Sequence, residues 1–247
     1  MKELRNRWAL VTGASRGIGR LAALAMADQG VNIIALSRSR EHTAPLITEL
    51  EAKGVKAYAV EAELSDIPSV ERALAEIDSL GVQVDIVLNN AGVQIAYRTE
   101  YLKTPVSDYE TSFVVNTIAP MVIVYHFLPA MIERGFGRIV NTTSGIRLEP
   151  EQAGYSASKA ALDKVTIDLG SKLQGSDVII SLTDPGWCRT DLGGPKAPNA
   201  PESAIPGVIA GAFVNDGKSG RLFSAGDFHG MTLEEAVAKA ETMDSPY

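Results

Sequence analysis

A single cysteine, three histidines and aromatic residues at only 6% leave this chain of 247 residues with few of the side chains that build disulfides or metal sites. Cys188 has no second cysteine to pair with, which excludes an internal disulfide and suits a reducing compartment, so a cytoplasmic location is expected. His42, His126 and His229 are scattered, with no Cys or carboxylate at ligand spacing, and no metal is expected. Basic charge is short as well: 23 Lys and Arg against 30 Asp and Glu give a net charge of −7. With no basic run, the chain is a poor match for nucleic acid or an anionic membrane surface. Ser156 and Ser158 lack the G-x-S-x-G turn that would expose a serine nucleophile. The charged start, Met1 to Arg7, passes straight into a strand-like segment, so no signal peptide is expected. Only Phe113 to Ile132 is long and apolar enough to suggest a membrane span; Asn116, Pro120, His126 and Pro129 interrupt it, and a core helix is expected instead.

What the chain does contain is alternation. Short apolar runs at 7–12, 31–36, 55–60, 84–88, 138–144, 178–183 and 220–224 read as strands. Between several of them lie helical stretches, among them 20–28, 69–80 and the long apolar segment, with an amphipathic helix at 233–243. Apolar strands alternating with helices imply an α/β fold in which a parallel sheet is covered on both faces. The expectation is one doubly wound, Rossmann-like domain over residues 1–247 with about seven strands. The Gly- and Pro-rich segment 191–206 has the composition of a short lid over a cleft, or of an ordered surface loop.

The first strand runs into Gly13-Ala14-Ser15-Arg16-Gly17-Ile18-Gly19 and then into a strong helix former. Strand, glycine turn and helix form the context in which backbone approaches a pyrophosphate and a helix N-terminus receives its charge. The second strand ends at Ser37-Arg38, where an NAD site would carry an acid for the ribose 2′-hydroxyl. A small hydroxyl followed by a guanidinium suits a 2′-phosphate, so NADP(H) is expected over NAD(H), with Arg16 as a second cation. Each strand changes to Gly, Asn, Ser or Pro at its carboxyl end, and open parallel sheets bind ligands beyond those ends.

Tyr155 and Lys159 lie four apart in a stretch that reads as a helix entered through Gly154, so they share a face. An ammonium beside a phenol favours the phenolate and lowers its pKa toward the range useful for proton transfer.

Taken together, Thr12-Gly13-x3-Gly17-Ile18-Gly19, Asn89-Asn90-Ala91-Gly92, Asn116, Ser144, Tyr155-x3-Lys159, Pro185-Gly186 and Thr190 resemble the short-chain dehydrogenase/reductase family, in order and over about residues 7–226. The resemblance implies hydride transfer between NADP(H) and a carbonyl or secondary alcohol. It implies Tyr155 as proton donor and acceptor, Ser144 as hydrogen-bond partner of the substrate oxygen, Lys159 as the group lowering the Tyr155 pKa and holding ribose, and Asn116 as orderer of a relay water. The cofactor residues it implies are Gly13, Ser15, Arg16, Gly17, Ile18, Gly19, Ser37, Arg38, Glu63, Leu64, Asn90, Ala91, Gly92, Tyr155, Lys159, Pro185, Gly186, Cys188 and Thr190. Glu63 departs from the family's usual Asp at the adenine, and Cys188 from a small aliphatic residue. The Ser144-to-Tyr155 interval is short for the family, so Thr142 or Thr143 competes with Ser144 for the polarising role. A homodimer or homotetramer through the long apolar helix and the Tyr155 helix is expected, as in many relatives. Two other readings stay open: an NADP-binding sensor or scaffold without turnover, and an enoyl reductase, the latter disfavoured because related enoyl reductases space Tyr and Lys six apart.

Overall fold

The computed structural model describes residues 1–244. Seven strands form one parallel sheet in the order β3-β2-β1-β4-β5-β6-β7. They are β1 (Trp8–Thr12), β2 (Asn32–Ser37), β3 (Ala57–Glu61), β4 (Val84–Asn89), β5 (Gly137–Thr142), β6 (Val178–Asp184) and β7 (Arg221–Ser224). The chain reverses its direction of travel across the sheet between β1 and β4, which opens a crevice beyond their carboxyl ends.

Strand alternation sorts the core into two layers. Ala9, Val11, Ile33 and Ile86 face α1 (Gly17–Asp28), α2 (Arg40–Ala52) and, toward the other edge, α7 (Gly207–Phe213) and α8 (Leu233–Thr242). Leu10, Ile34, Val87, Ile139, Val178 and Ile180 face the opposite layer, α3 (Ile67–Ser79), α5 (Ala119–Arg134) and α6 (Ala153–Gly170). The long apolar segment begins earlier than its hydropathy suggests. Its first helix, α4 (Val106–Phe113), passes through a π-turn at Val114–Ile118 into α5 without a break. The combined helix of 29 residues has the length and composition of a membrane span, yet Ala119, Ile123, Val124, Phe127 and Met131 lie in the core.

Two helices escape the sequence pattern. In α7 all seven residues are buried, which erases any amphipathic period. In α2, whose mean polarity masks it, Thr43, Leu46 and Leu50 alone are buried. The strands are also less uniformly apolar than their runs suggest. Arg138 in β5 is fully buried, its guanidinium paired with Asp177 and donating to the Val214 carbonyl at 3.0 and 3.2 Å. Burial pulls its pKa down, and Asp177 pulls it back up.

Candidate active site

The glycine turn between β1 and α1 is built for close approach. Gly13 and Gly17 have φ of +66° and +54°, conformations that side chains other than glycine rarely adopt. A Cβ on Gly19 would stand 2.3 Å from the Gly13 carbonyl oxygen and 2.4 Å from the Asn90 amide nitrogen. Helix α1 has no side-chain N-cap bond and no acid in its first turn, so its N-terminal amides face the crevice uncapped. The exit of β4 is tied to the same turn. Thr12 Oγ1 accepts from the Asn90 and Ala91 amides at 3.1 and 3.0 Å, and Asn90 Nδ2 donates to the Thr12 carbonyl at 3.2 Å. Uncapped amides above a glycine cradle that a single Cβ would fill are what a dinucleotide pyrophosphate requires.

The other expected cofactor residues divide by whether their polar groups are already engaged. Arg38 is exposed at the end of β2 and forms no ion pair among the described residues. Arg16 instead pairs with Asp191 at 2.8 Å, bridging the glycine turn to the loop after β6. Ser37 donates to the Ser39 carbonyl at 2.6 Å. Glu63 turns back into its own loop, accepting from the Ser65 amide and hydroxyl at 3.0 and 2.8 Å, while Leu64 is buried. Ser15 and Ile18 are half-buried in the glycine turn. Thr190 lies against Gly17, where a Cβ would meet its methyl at 3.3 Å, and its hydroxyl accepts from the Gly193 amide. Pro185 and Gly186 lead β6 into that loop, with Gly186 at φ +72°. Cys188 is buried and its thiol pKa is raised, first by burial, which excludes an activated thiolate. The segment expected as a lid is a loop stitched to itself. Asn199 donates both its backbone N–H and its side-chain amide to the Trp187 carbonyl, Arg189 donates to the Pro198 carbonyl at 2.7 Å, and Gly193 packs against the Cys188 carbonyl.

Tyr155, Lys159, Ser144 and Asn116 converge at the carboxyl ends of β4 and β5. Helix α6 starts at Ala153, one residue before the expected Gly154, which packs against the α4 backbone at Asp108, where a Cβ would come within 2.8 Å of its carbonyl. That contact seats Tyr155 over the sheet edge, 7% exposed. Ser144 lies just past β5, and its hydroxyl, set against the phenol, pulls the Tyr155 pKa down. The Thr143 hydroxyl is turned to Asp163 instead. Lys159 is buried and donates to the Thr142 carbonyl at 2.7 Å. Asn116, inside the π-turn, spends its amide on Val93, accepting from its N–H at 2.8 Å and donating to its carbonyl at 2.9 Å, and on the Ser158 hydroxyl. Gly92 sits between Asn116 and Lys159, where a Cβ would be 3.2 and 3.5 Å from them. The π-turn, a device frequent at functional sites, leaves no signature in the residue pattern.

One electrostatic expectation is overturned. The Tyr155 phenol is not lowered in this structure but raised: burial is the largest cause, the Ser144 hydroxyl opposes it, and Asp184 adds to it. Lys159 does not reverse this, its ammonium being drawn to the Thr142 carbonyl and itself pushed down by burial to about 8. Asp163 and Asp184 partly restore the Lys159 pKa, Asp163 from one helical turn away. Neither carboxylate stood out in the sequence. Asp184 could have been read there as the residue of β6 that continues the Val178, Ile180 face.

A buried ammonium stores free energy that folding must supply. Lys159 ionises at 10.5 when unfolded and at about 8 when folded, so below pH 8 the folded state carries a penalty of about 3 kcal/mol. Between about 8 and 10.5 the folded form loses its proton while the unfolded chain keeps it; stability from this group therefore rises with pH and the penalty fades. Lys159→Met is expected to unfold at higher urea than the parent at pH 7, by about 1–2 kcal/mol, with the gap closing toward pH 10. A gap that is absent at pH 7, or that does not change with pH, would contradict this account.

The chain belongs to the short-chain dehydrogenase/reductase family, whose short chain dehydrogenase model matches residues 7–200. A 3-oxoacyl-[acyl-carrier-protein] reductase of Aquifex aeolicus is 34% identical over 193 residues, 77% of each chain. A ketoacyl reductase of Nostoc is 31% identical over 220 residues, 87% of this chain and 76% of the other. A metagenomic short-chain oxidoreductase crystallised with NADP superposes with a TM-score of 0.69 at 28% identity, covering 78% of this chain and 87% of that one. A Beutenbergia cavernae protein with NADP at low occupancy gives 0.79 at 26%, covering 90% and 96%.

Proposed function

We propose that the protein is an NADP(H)-dependent reductase or dehydrogenase acting on a ketone, aldehyde or secondary alcohol. The observation that carries the reading is a buried phenol set beside the Ser144 hydroxyl at the edge of a glycine cradle. The cofactor, when bound, supplies or accepts the hydride. The chain's residues do the rest. Ser144 and Tyr155 hold the substrate oxygen between two hydroxyls, and Tyr155, kept neutral by burial, donates its proton as charge grows on that oxygen. Lys159 carries positive charge behind the phenol, and Asn116 braces the β4 exit against α6.

Several large apolar side chains stay exposed on the segments that leave the same sheet edge: Tyr97, Leu148, Trp187 and Leu192. They suit a substrate with an apolar body. Ile118, Tyr125 and Ile132, spaced at seven along the long helix and exposed, favour a homodimer or homotetramer built on that face, which sedimentation reads directly.

The test is oxidation of NADPH and of NADH across a panel of ketones and aldehydes. Turnover is expected with NADPH at about tenfold or more the kcat/KM of NADH, because Arg38 offers an unpaired guanidinium to a 2′-phosphate. Arg38→Gln is expected to erase that preference. Tight NADPH binding with no turnover on any carbonyl would favour a nucleotide sensor, and reduction of a conjugated double bond alone would favour an enoyl reductase.

A further inference from the structure

Asp184 is an acid of the site that forms no ion pair among the described residues. Along β6, Val178 and Ile180 pack into the layer that contains Leu162 of α6, while Ile179 packs into the opposite one. Alternation therefore puts Asp184, at the carboxyl end of the same strand, on the side of Tyr155 and Lys159. Its carboxylate is fixed in place: Oδ1 accepts from the Gly186 amide at 2.9 Å, and Oδ2 lies so near Gly145 that a Cβ there would be 2.7 Å away. It thus stands between the residue that follows Ser144 and the turn that opens the loop after β6. The side chain is half-buried and open to the crevice, and it forms no ion pair among the described residues.

Lys159 is the cation that feels the Asp184 charge, which raises its pKa, but the two form no ion pair among the described residues. Lys159 is committed to the Thr142 carbonyl, and Asp163, on α6, is a second acid. Arg189, in the loop beyond, donates to the Ala197 and Pro198 carbonyls. Tyr155 and Cys188 both feel Asp184 as a negative charge that raises their pKa values. Farther out, Glu149 and Glu151 surround Tyr97, and the Arg98 amide bonded to the Glu151 carbonyl at 3.0 Å fixes that arrangement. Arg98 itself is paired with Asp108. Arg147 is the one cation on the β5 exit loop; it is exposed and unpaired among the described residues.

We propose that Asp184 is a specificity-determining residue, which turns away carbonyl compounds bearing a carboxylate close to the reacting carbon and admits those that are neutral or carry an amine there. This rests on the carbonyl-reductase reading above. A carboxylate held without an ion-pair partner at the mouth of a half-buried cleft repels a second one, since the low local dielectric weakens screening. A protonated amine or an N–H on the substrate supplies the partner that the fold omits.

The experiment compares three ketones built on a six-membered ring, cyclohexanone, 4-oxocyclohexanecarboxylate and a protonated 4-piperidone, with NADPH at pH 7. For the parent, kcat/KM is expected to fall in the order amine, neutral, acid. In Asp184→Asn, which keeps an acceptor for the Gly186 amide, the amine-to-acid ratio is expected to drop by about tenfold or more, and Asp184→Glu is expected to restore part of it. The change should lie mainly in KM. A ratio in Asp184→Asn within twofold of the parent, or one abolished instead by Arg147→Gln, would overturn the proposal. Absence of turnover for all three ketones would strike the reductase reading and not this one. In that event the same ratio is read from calorimetric binding of the corresponding amino alcohol and hydroxy acid to the NADP+-loaded protein, and equal affinities would reject the role of Asp184.

Discussion

Tyr155→Phe is expected to lower kcat for carbonyl reduction by about a thousandfold while leaving NADPH affinity within about threefold of the parent. The substitution removes one oxygen from a side chain that is 7% exposed and keeps the ring, so packing against the sheet edge is conserved. On the proposed mechanism, what goes is the proton donor and one of two hydroxyls around the substrate oxygen, leaving Ser144 alone. Because burial holds the phenol protonated, reduction should stay flat through neutral pH and decline only as the solution becomes alkaline. Oxidation of an alcohol requires the phenolate and should rise with pH instead. Single-turnover kinetics with preloaded NADPH separate the chemical step from release. A Phe variant that retains more than a tenth of the parental single-turnover rate would remove Tyr155 from the proton transfer.

Gly19→Ala is expected to weaken NADPH binding by about tenfold to a hundredfold, through overpacking of a position that has no slack. In an ordinary helix this change would stabilise, since alanine is the better helix former. Here the new methyl would lie 2.3 Å from the Gly13 carbonyl oxygen and 2.4 Å from the Asn90 amide nitrogen. Neither atom can retreat cheaply: one is backbone in the turn, and the other is bonded to the Thr12 carbonyl. Relief must come from moving α1 away from the β4 exit, which opens the anion cradle. Gly226→Ala is the control, because a Cβ there meets nothing within 4 Å. Calorimetric titration with NADPH decides the matter; an Ala variant that binds like the parent would show that the cradle does not hold the pyrophosphate.

Much of this architecture is legible along the chain because it depends on local rules. All seven strands are visible as apolar runs because the inner strands of a parallel sheet are buried on both faces, whereas the edge strands β3 and β7 are buried only in part. The turn at Gly13, Gly17 and Gly19 and the Tyr155, Lys159 pair are visible because backbone φ and helical spacing act within a few residues. Helix α7 was hidden for the opposite reason, as a fully buried helix has no polar face to mark its period. Electrostatics was the least legible part, because a pKa depends on what surrounds a group in space.

The sequence by itself determined a doubly wound parallel sheet with a glycine turn at its switch point and a Tyr/Lys helix facing it. Only the tertiary structure decided the charge state of that helix and its company. It placed Lys159 against the Thr142 carbonyl, set the Ser144 hydroxyl against the Tyr155 phenol, paired Arg16 with Asp191 while Arg38 pairs with nothing among the described residues, and brought Asp184 near the phenol. Strand and turn preferences are summed over adjacent residues, whereas desolvation and Coulomb energy are summed over neighbours in space that lie far apart in the chain.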